Sequence, residues 1–297
     1  MRIAVTGASG FIGTEMLAEL KERNHTVIAL TRGGSARADS PYCVWRETDY
    51  TEESLAKVLD GADAVIHLAG VRGTTSEPDD YVINEIMTEN LIKGMAAAGV
   101  KRIVFASTIS VYDDVDTIPW QEEYPLKGRT MYGCSKIECE DKIRFSAEAL
   151  GYTFAIIRIA QVLGLGEKRR GMMNVFLDTA RDGGEIKVIG KSEAKRQYIY
   201  VKDLVKIMAM LVAGEGAEYV AGNITVNAGM PHAYTNLEIA RIVNKVYGNE
   251  TLINYDDSSP ETIKPSCMDI TRLKEELGYM TLDMEEAIKD IRKGQGM

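Results

Sequence analysis

The sequence predicts an α/β protein, a doubly wound parallel sheet with a smaller C-terminal lobe, and three observations carry that expectation. Short aliphatic or β-branched runs recur through the first half, at Ile3 to Val5, Thr26 to Leu30, Ala64 to Leu68, Arg102 to Ala106 and Phe154 to Ile159. Between them lie segments with apolar residues at helical spacing: Met16, Leu17 and Leu20, then Leu55, Val58 and Leu59, then Ile86, Leu91 and Ile92. Continuous apolar strands alternating with such helices make a parallel sheet covered on both faces, with right-handed crossovers. After about Gly164 the rhythm loosens into loops rich in glycine and charge. The expected division is a sheet domain over 1–163 with a return segment near 194–228, and a smaller lobe over 164–193 and 229–297. No repeat or flexible linker separates the two parts, so they should share an interface.

Composition narrows the function. Of 297 residues 45% are hydrophobic and 27% charged, ordinary proportions for a globular protein. The net charge of -9 argues against nucleic-acid or anionic-membrane binding, which need a basic face to displace counterions. No apolar stretch approaches the ~20 residues that span a bilayer, and the opening apolar run is too short for a signal peptide. A cytoplasmic location is expected. Cys43, Cys134, Cys139 and Cys267 form no CxxC pair and read as reduced thiols. His25, His67 and His232 have no ligand spacing, so no metal is proposed.

The first apolar run leads into Thr6-Gly7-Ala8-Ser9-Gly10-Phe11-Ile12-Gly13, and a helical pattern follows at once. Glycines at GxxGxxG spacing give a tight turn, close backbone approach to a pyrophosphate, and close packing of helix on strand. The helix start then offers unpaired N–H groups and a positive dipole end to phosphates. In this strand-to-helix context the motif reads as the dinucleotide-binding turn of a Rossmann-type fold. The second strand ends at Thr31-Arg32, with no acid to hold ribose hydroxyls. Arg32, with Arg37 nearby, suits a 2'-phosphate, so the cofactor is NAD or NADP with Arg32 favouring NADP.

Hydroxyls gather at Ser107, Thr108 and Ser110, where a parallel sheet collects ligands at its strand ends. Downstream lies Tyr132-Gly133-Cys134-Ser135-Lys136. On a helix Tyr132 and Lys136 share a face, and an ammonium beside a phenol lowers the phenol pKa from about 10, making a general base. Tyr198 and Lys202 have the same spacing, but Tyr198 lies in a run that reads as strand, where the fourth neighbour is far away.

The ordered blocks TGASGFIG, AVIHLAG, STISVY, YGCSK, RQYIYVKD and DITRLKEELGY resemble the extended short-chain dehydrogenase/reductase family, and within it the nucleotide-sugar epimerases. The resemblance spans nearly the whole chain. It implies a Rossmann domain whose smaller lobe grips a nucleoside-diphosphate sugar, and a homodimer formed through the helices around 84–98 and 132–150. It casts Tyr132 as acid/base, Lys136 as holder of the nicotinamide ribose, and Thr108 as hydrogen-bond partner of the reacting oxygen. Leu68, Ala69 and Gly70 would line the cofactor, and Asp49 and Tyr50 would contact adenine. Arg196 would bind the substrate diphosphate, unless it pairs with Glu193 or Asp203, and Arg72 and Thr74 would reach the sugar or belong to a plain loop. The implied reaction is epimerisation, at C4 of a hexose, through a transient keto-sugar. The alternatives are an NADPH-dependent reductase of a keto-sugar or other carbonyl, and a non-catalytic dinucleotide sensor, for which Thr108, Tyr132 and Lys136 would be superfluous. Ile109 and Ser110 supply no carboxylate after Thr108, which argues against a 4,6-dehydratase. Three features depart from the family pattern: Gln161 replaces a common asparagine, Asp113 replaces the glycine usual after Val111-Tyr112, and the stretch before Asp269 offers Lys264 but no arginine for a second diphosphate contact.

Overall fold

The computed structural model describes residues 1–33, 38–72, 77, 79–214, 222–249, 252–261 and 263–296. Arg37 and Thr74 lie outside these. The first half runs β1 (Arg2–Thr6), α1 (Phe11–Glu22), β2 (Thr26–Thr31), β3 (Cys43–Glu47), α2 (Glu52–Val58), β4 (Ala64–His67), α3 (Asp79–Ala98), β5 (Arg102–Ala106), α4 (Met131–Leu150) and β6 (Thr153–Ile159). The second half continues with β7 (Gln161–Leu163), α5 (Met172–Arg181), β8 (Ile186–Ile189), β9 (Arg196–Tyr200), α6 (Val201–Ala213), β10 (Ile224–Ala228), β11 (Ala233–Tyr234), α7 (Asn236–Tyr247), β12 (Ile253–Asp256), α8 (Thr271–Glu275) and α9 (Met284–Gly294).

Seven strands form one sheet in the order β10-β6-β5-β4-β1-β2-β3, and every pairing is parallel. This is the Rossmann order with β10 added at one edge, and the chain reverses direction across the sheet between β1 and β4. Successive residues of each strand feed opposite faces. Ile3 and Val5 join α1 and α6 in one core layer, whereas Ala4 joins Leu55, Leu91 and Ile143 of α2, α3 and α4 in the other. Ile86 differs from the sequence expectation: it is exposed, because the buried stripe of α3 runs through Asn84, Met87, Thr88, Leu91, Ile92 and Met95 and leaves Ile86 on the opposite side.

The second half contributes a three-stranded sheet, β11-β9-β7, and a two-stranded one, β12-β8. With α5, α7 and α9 they enclose a third core, in which Phe176, Tyr198, Ile239 and Ile288 are buried. Both α7 and α9 begin with a reciprocal capping box, Thr235 with Glu238 and Asp283 with Glu286, which satisfies their first N–H groups. Among the described residues no helix is long and apolar enough to cross a membrane.

Candidate active site

Two clefts meet above the strand ends at the β1/β4 reversal. The first, of about 530 Å³, is lined by the glycine turn, Phe11, Ile12, Arg32, Tyr50 and Leu68 to Arg72. The turn is shaped for a ligand with a polar backbone surface. Gly7 has φ +66, and a Cβ there would stand 2.8 Å from the Ala69 nitrogen. A Cβ on Gly13 would collide with the Gly7 carbonyl oxygen. Only glycine lets these segments touch. Gly10 caps α1 without a side-chain hydrogen bond, which leaves the first N–H groups of the helix open towards the cleft. A dinucleotide pyrophosphate fits that cradle.

Behind the cradle His67 is fully buried in a chain of hydrogen bonds that fixes its tautomer. The Thr6 hydroxyl accepts from the Leu68 and Ala69 N–H groups at 3.1 and 3.0 Å. Its own proton is therefore donated to His67 Nδ1, 2.7 Å away. Thr88 donates its hydroxyl proton to the Asn84 carbonyl at 2.8 Å, so His67 Nε2–H donates to Thr88 Oγ1 at 3.3 Å. Burial, helped by the nearby Lys136 charge, drives the imidazole pKa down to about 3. His67 is a neutral strut that holds Thr6 against the cofactor-lining loop.

The second cleft, of about 590 Å³, shares Ile12, Leu68, Gly70 and Arg72 with the first and contains Thr108, Tyr132 and Lys136. Thr130 caps α4 by accepting from the Gly133 N–H, and that cap sets Tyr132 and Lys136 on one inward face. The ammonium of Lys136 donates to the Ala106 carbonyl at 2.8 Å and lies 6.0 Å from the Tyr132 ring centre. The lowered phenol pKa expected from the sequence is not found. Burial pushes Tyr132 up to about 12, against the opposing charge of Arg72 and a hydrogen bond with Thr108. Burial also lowers the pKa of Lys136, and one of its three N–H groups donates to a carbonyl. Spacing in the sequence reported proximity but not desolvation.

The remaining candidates divide. Arg196 lines the second cleft, with Nη2 donating to Asn236 Oδ1 at 2.9 Å and a buried Nε that has no partner. Among the described residues no carboxylate pairs with it, and Asp203 is taken by the Tyr279 hydroxyl and the Leu282 N–H. Arg72 lines both clefts and bridges to Glu167 at 3.0 Å. Tyr50 enters the first cleft, but Asp49 does not line it; its carboxylate accepts from the Thr51 N–H and hydroxyl, which hold its pKa low. Tyr198 and Lys202 diverge as expected: Tyr198 is buried in β9, and Lys202 pairs with Asp290.

Sequence reasoning passed over the supports. Asn84 grips the loop after β4, accepting from the Val71 N–H, and donates to the Val71 carbonyl and to Ser135 on α4. Two turns below Tyr132, Glu140 is fully buried and bonded by Arg158, Arg144 and Ser107. Burial disfavours its charge, but Arg158 outweighs that and holds the carboxyl below its ordinary range. A polar residue on the buried face of a helix, as at Asn84 and Glu140, is the signal that would have found both.

A family model, described as the NAD dependent epimerase/dehydratase family, matches residues 3–227. The chain belongs to this family. A UDP-N-acetylglucosamine 4-epimerase structure from Bacillus cereus is 32% identical, with a TM-score of 0.88 over 100% of this chain and 97% of that one. The UDP-glucose 4-epimerase of Thermotoga maritima, solved with UDP-glucose, is 26% identical with a TM-score of 0.84 over 99% and 100%. The dTDP-4-dehydro-6-deoxyglucose reductase of Escherichia coli is 28% identical across 98% of this chain and 97% of its own length. The family is NAD dependent, and the glycine cradle has the shape that a dinucleotide needs.

Proposed function

We propose that this protein is a nucleotide-sugar 4-epimerase that binds NAD or NADP in the first cleft and a nucleoside-diphosphate hexose in the second. One observation carries the reading: Thr108, Tyr132 and Lys136 line a cavity that opens directly into the glycine cradle through Ile12, Leu68, Gly70 and Arg72. The activities named for the two 4-epimerase structures support it. The dinucleotide, when bound, supplies reversible hydride exchange at a sugar carbon. The chain's own residues do the proton work. Tyr132 takes the proton from the C4 hydroxyl, Thr108 orients that oxygen, and Tyr132 returns the proton after the keto-sugar has turned over. A phenol held near 12 is a strong base once ionised, and the Arg72 charge and the Thr108 hydrogen bond are what favour that form. Lys136 would hold the nicotinamide ribose.

On this reading Gly7, Gly10 and Gly13 cradle the pyrophosphate, and Arg32 at the cleft wall favours NADP without excluding NAD. Arg196, with an unpartnered Nε, binds the diphosphate. Residues 164–193 and 229–297 form the sugar-nucleotide lobe. A homodimer through α3 and α4 would cover Val82, Ile83, Ile86 and Phe145, all exposed here and Phe145 by 82%. The test is incubation with a panel of nucleotide-activated hexoses, followed by mass spectrometry and NMR. Stereoisomers of unchanged mass support the proposal. A product lighter by one water, or stoichiometric consumption of reduced dinucleotide with a keto-sugar, overturns it, the latter in favour of the reductase that the Escherichia coli relative represents.

A further inference from the structure

Five cations line the sugar-side cavity, Arg72, Arg129, Lys136, Arg196 and Lys264, and none of its described lining residues is a carboxylate. Their charges are not equally available. Arg72 is bridged to Glu167, and Lys136 donates to the Ala106 carbonyl beside the candidate base. Arg129 is held from behind by Asp113, with Nε donating to Asp113 Oδ1 at 2.9 Å and Nη2 to the Asp113 carbonyl at 3.4 Å. Among the described residues Lys136, Arg196 and Lys264 have no carboxylate partner. With Lys136 beside the candidate base, Arg196 and Lys264 are left to meet the two charges of a nucleoside diphosphate.

Arg129 lines the same cavity three residues before Tyr132. Its N–H bonds to the Ser110 carbonyl at 3.2 Å, and its guanidinium lies 5.5 Å from the ring of Trp120, which stacks on Tyr112. The guanidinium lines the cavity, whereas Asp113 stands behind it. Both side chains are three-quarters or more buried, so solvent screens their charges little. The sugar therefore meets a donor whose positive charge is already balanced, which suits hydroxyl or amide oxygens and gives a carboxylate no net attraction.

We propose that Asp113 is a specificity-determining residue: by neutralising Arg129 it restricts the sugar to an uncharged hexose and excludes a uronic acid. This rests on the epimerase reading for the placement of the sugar, and the test separates the two. Calorimetric titrations with UDP-glucose and UDP-glucuronic acid are made on dinucleotide-loaded wild type, Asp113→Asn and Arg129→Gln, alongside NMR assays of epimerisation. The wild type is expected to bind the neutral sugar nucleotide at least about tenfold more tightly. Asp113→Asn frees the guanidinium and shrinks that ratio about tenfold, and Asp113→Glu restores it. Arg129→Gln leaves Asp113 unbalanced and moves the ratio the other way, a result that does not depend on Asp113→Asn folding. A wild type that binds both equally or prefers the uronate, or a ratio unchanged in both variants, overturns the proposal. Binding ratios that move as stated without turnover of either sugar keep the filter and sink the epimerase.

Discussion

Replacing His67 by Asn should change how stability depends on pH by an amount the structure sets. The imidazole titrates near 6.5 in an unfolded chain and near 3 in its buried site, so between those values only the unfolded state takes up the proton. The folded state thus has its full advantage above about pH 6.5 and loses it as the pH falls. At pH 5 the loss from this one group is about 2 kcal/mol. Asparagine places an acceptor near the position of Nδ1 for Thr6 but cannot titrate. Wild type should exceed the variant in stability at pH 8, through the lost bond to Thr88 and a small cavity, and that margin should shrink by about 2 kcal/mol at pH 5. Urea unfolding at the two pH values measures both margins, with the other titrating groups cancelling in the difference. A margin independent of pH would refute the assignment of a buried neutral imidazole. Nitrogen NMR of the ring gives a second check: a proton on Nδ1 at pH 7 contradicts the donor accounting through Thr6 and Thr88.

Three further substitutions probe the two clefts. Tyr132→Phe should lower turnover by ~10² or more while the dinucleotide is still retained, and near-normal activity with the authentic sugar nucleotide would remove Tyr132 from the mechanism. Arg32→Ala should weaken NADP binding by about 1–3 kcal/mol and NAD little, as read by paired titrations at one ionic strength; equal losses would return Arg32 to a solvated loop. Gly13→Ala, whose Cβ would strike the Gly7 carbonyl, should abolish dinucleotide binding and cost about 1–3 kcal/mol in thermal unfolding, and a variant that binds normally would show that the cradle is not the pyrophosphate site.

What was legible in the sequence was periodic or local. Strand and helix alternation gave the sheet, the glycine spacing gave the cradle, and the four-residue spacing of Tyr132 and Lys136 gave their common face on α4. Other features depend on which distant groups meet. The pKa of Tyr132 is set by burial, which no spacing records. Asp49, implied by the resemblance as an adenine contact, bonds locally to Thr51 at the start of α2, which a family motif does not record. Arg158 is drawn to Glu140 across the α4–β6 turn, and Asp113 meets Arg129 only because the loop after β5 folds back on itself. Ile86 had the right hydrophobicity and the wrong phase.

The return of the chain to its first sheet has a consequence for modularity. β10 pairs with β6 over five residues, and α6 packs Leu204, Ile207, Met208 and Leu211 into the same core layer as α1, although both elements come after the segment that begins the second lobe. A fragment cut near residue 163 would lose that edge strand and that helix together, leaving β6 an unpaired apolar edge and uncovering the part of one sheet face over β4 to β6, the conditions under which strands join between molecules. The seven-stranded sheet is consequently not a detachable cassette. Shuffling it onto another lobe would succeed only if the donor lobe brings its own equivalents of α6 and β10, so exchange of whole chains or of loops, and not of domains, is the route by which this architecture can acquire new substrates.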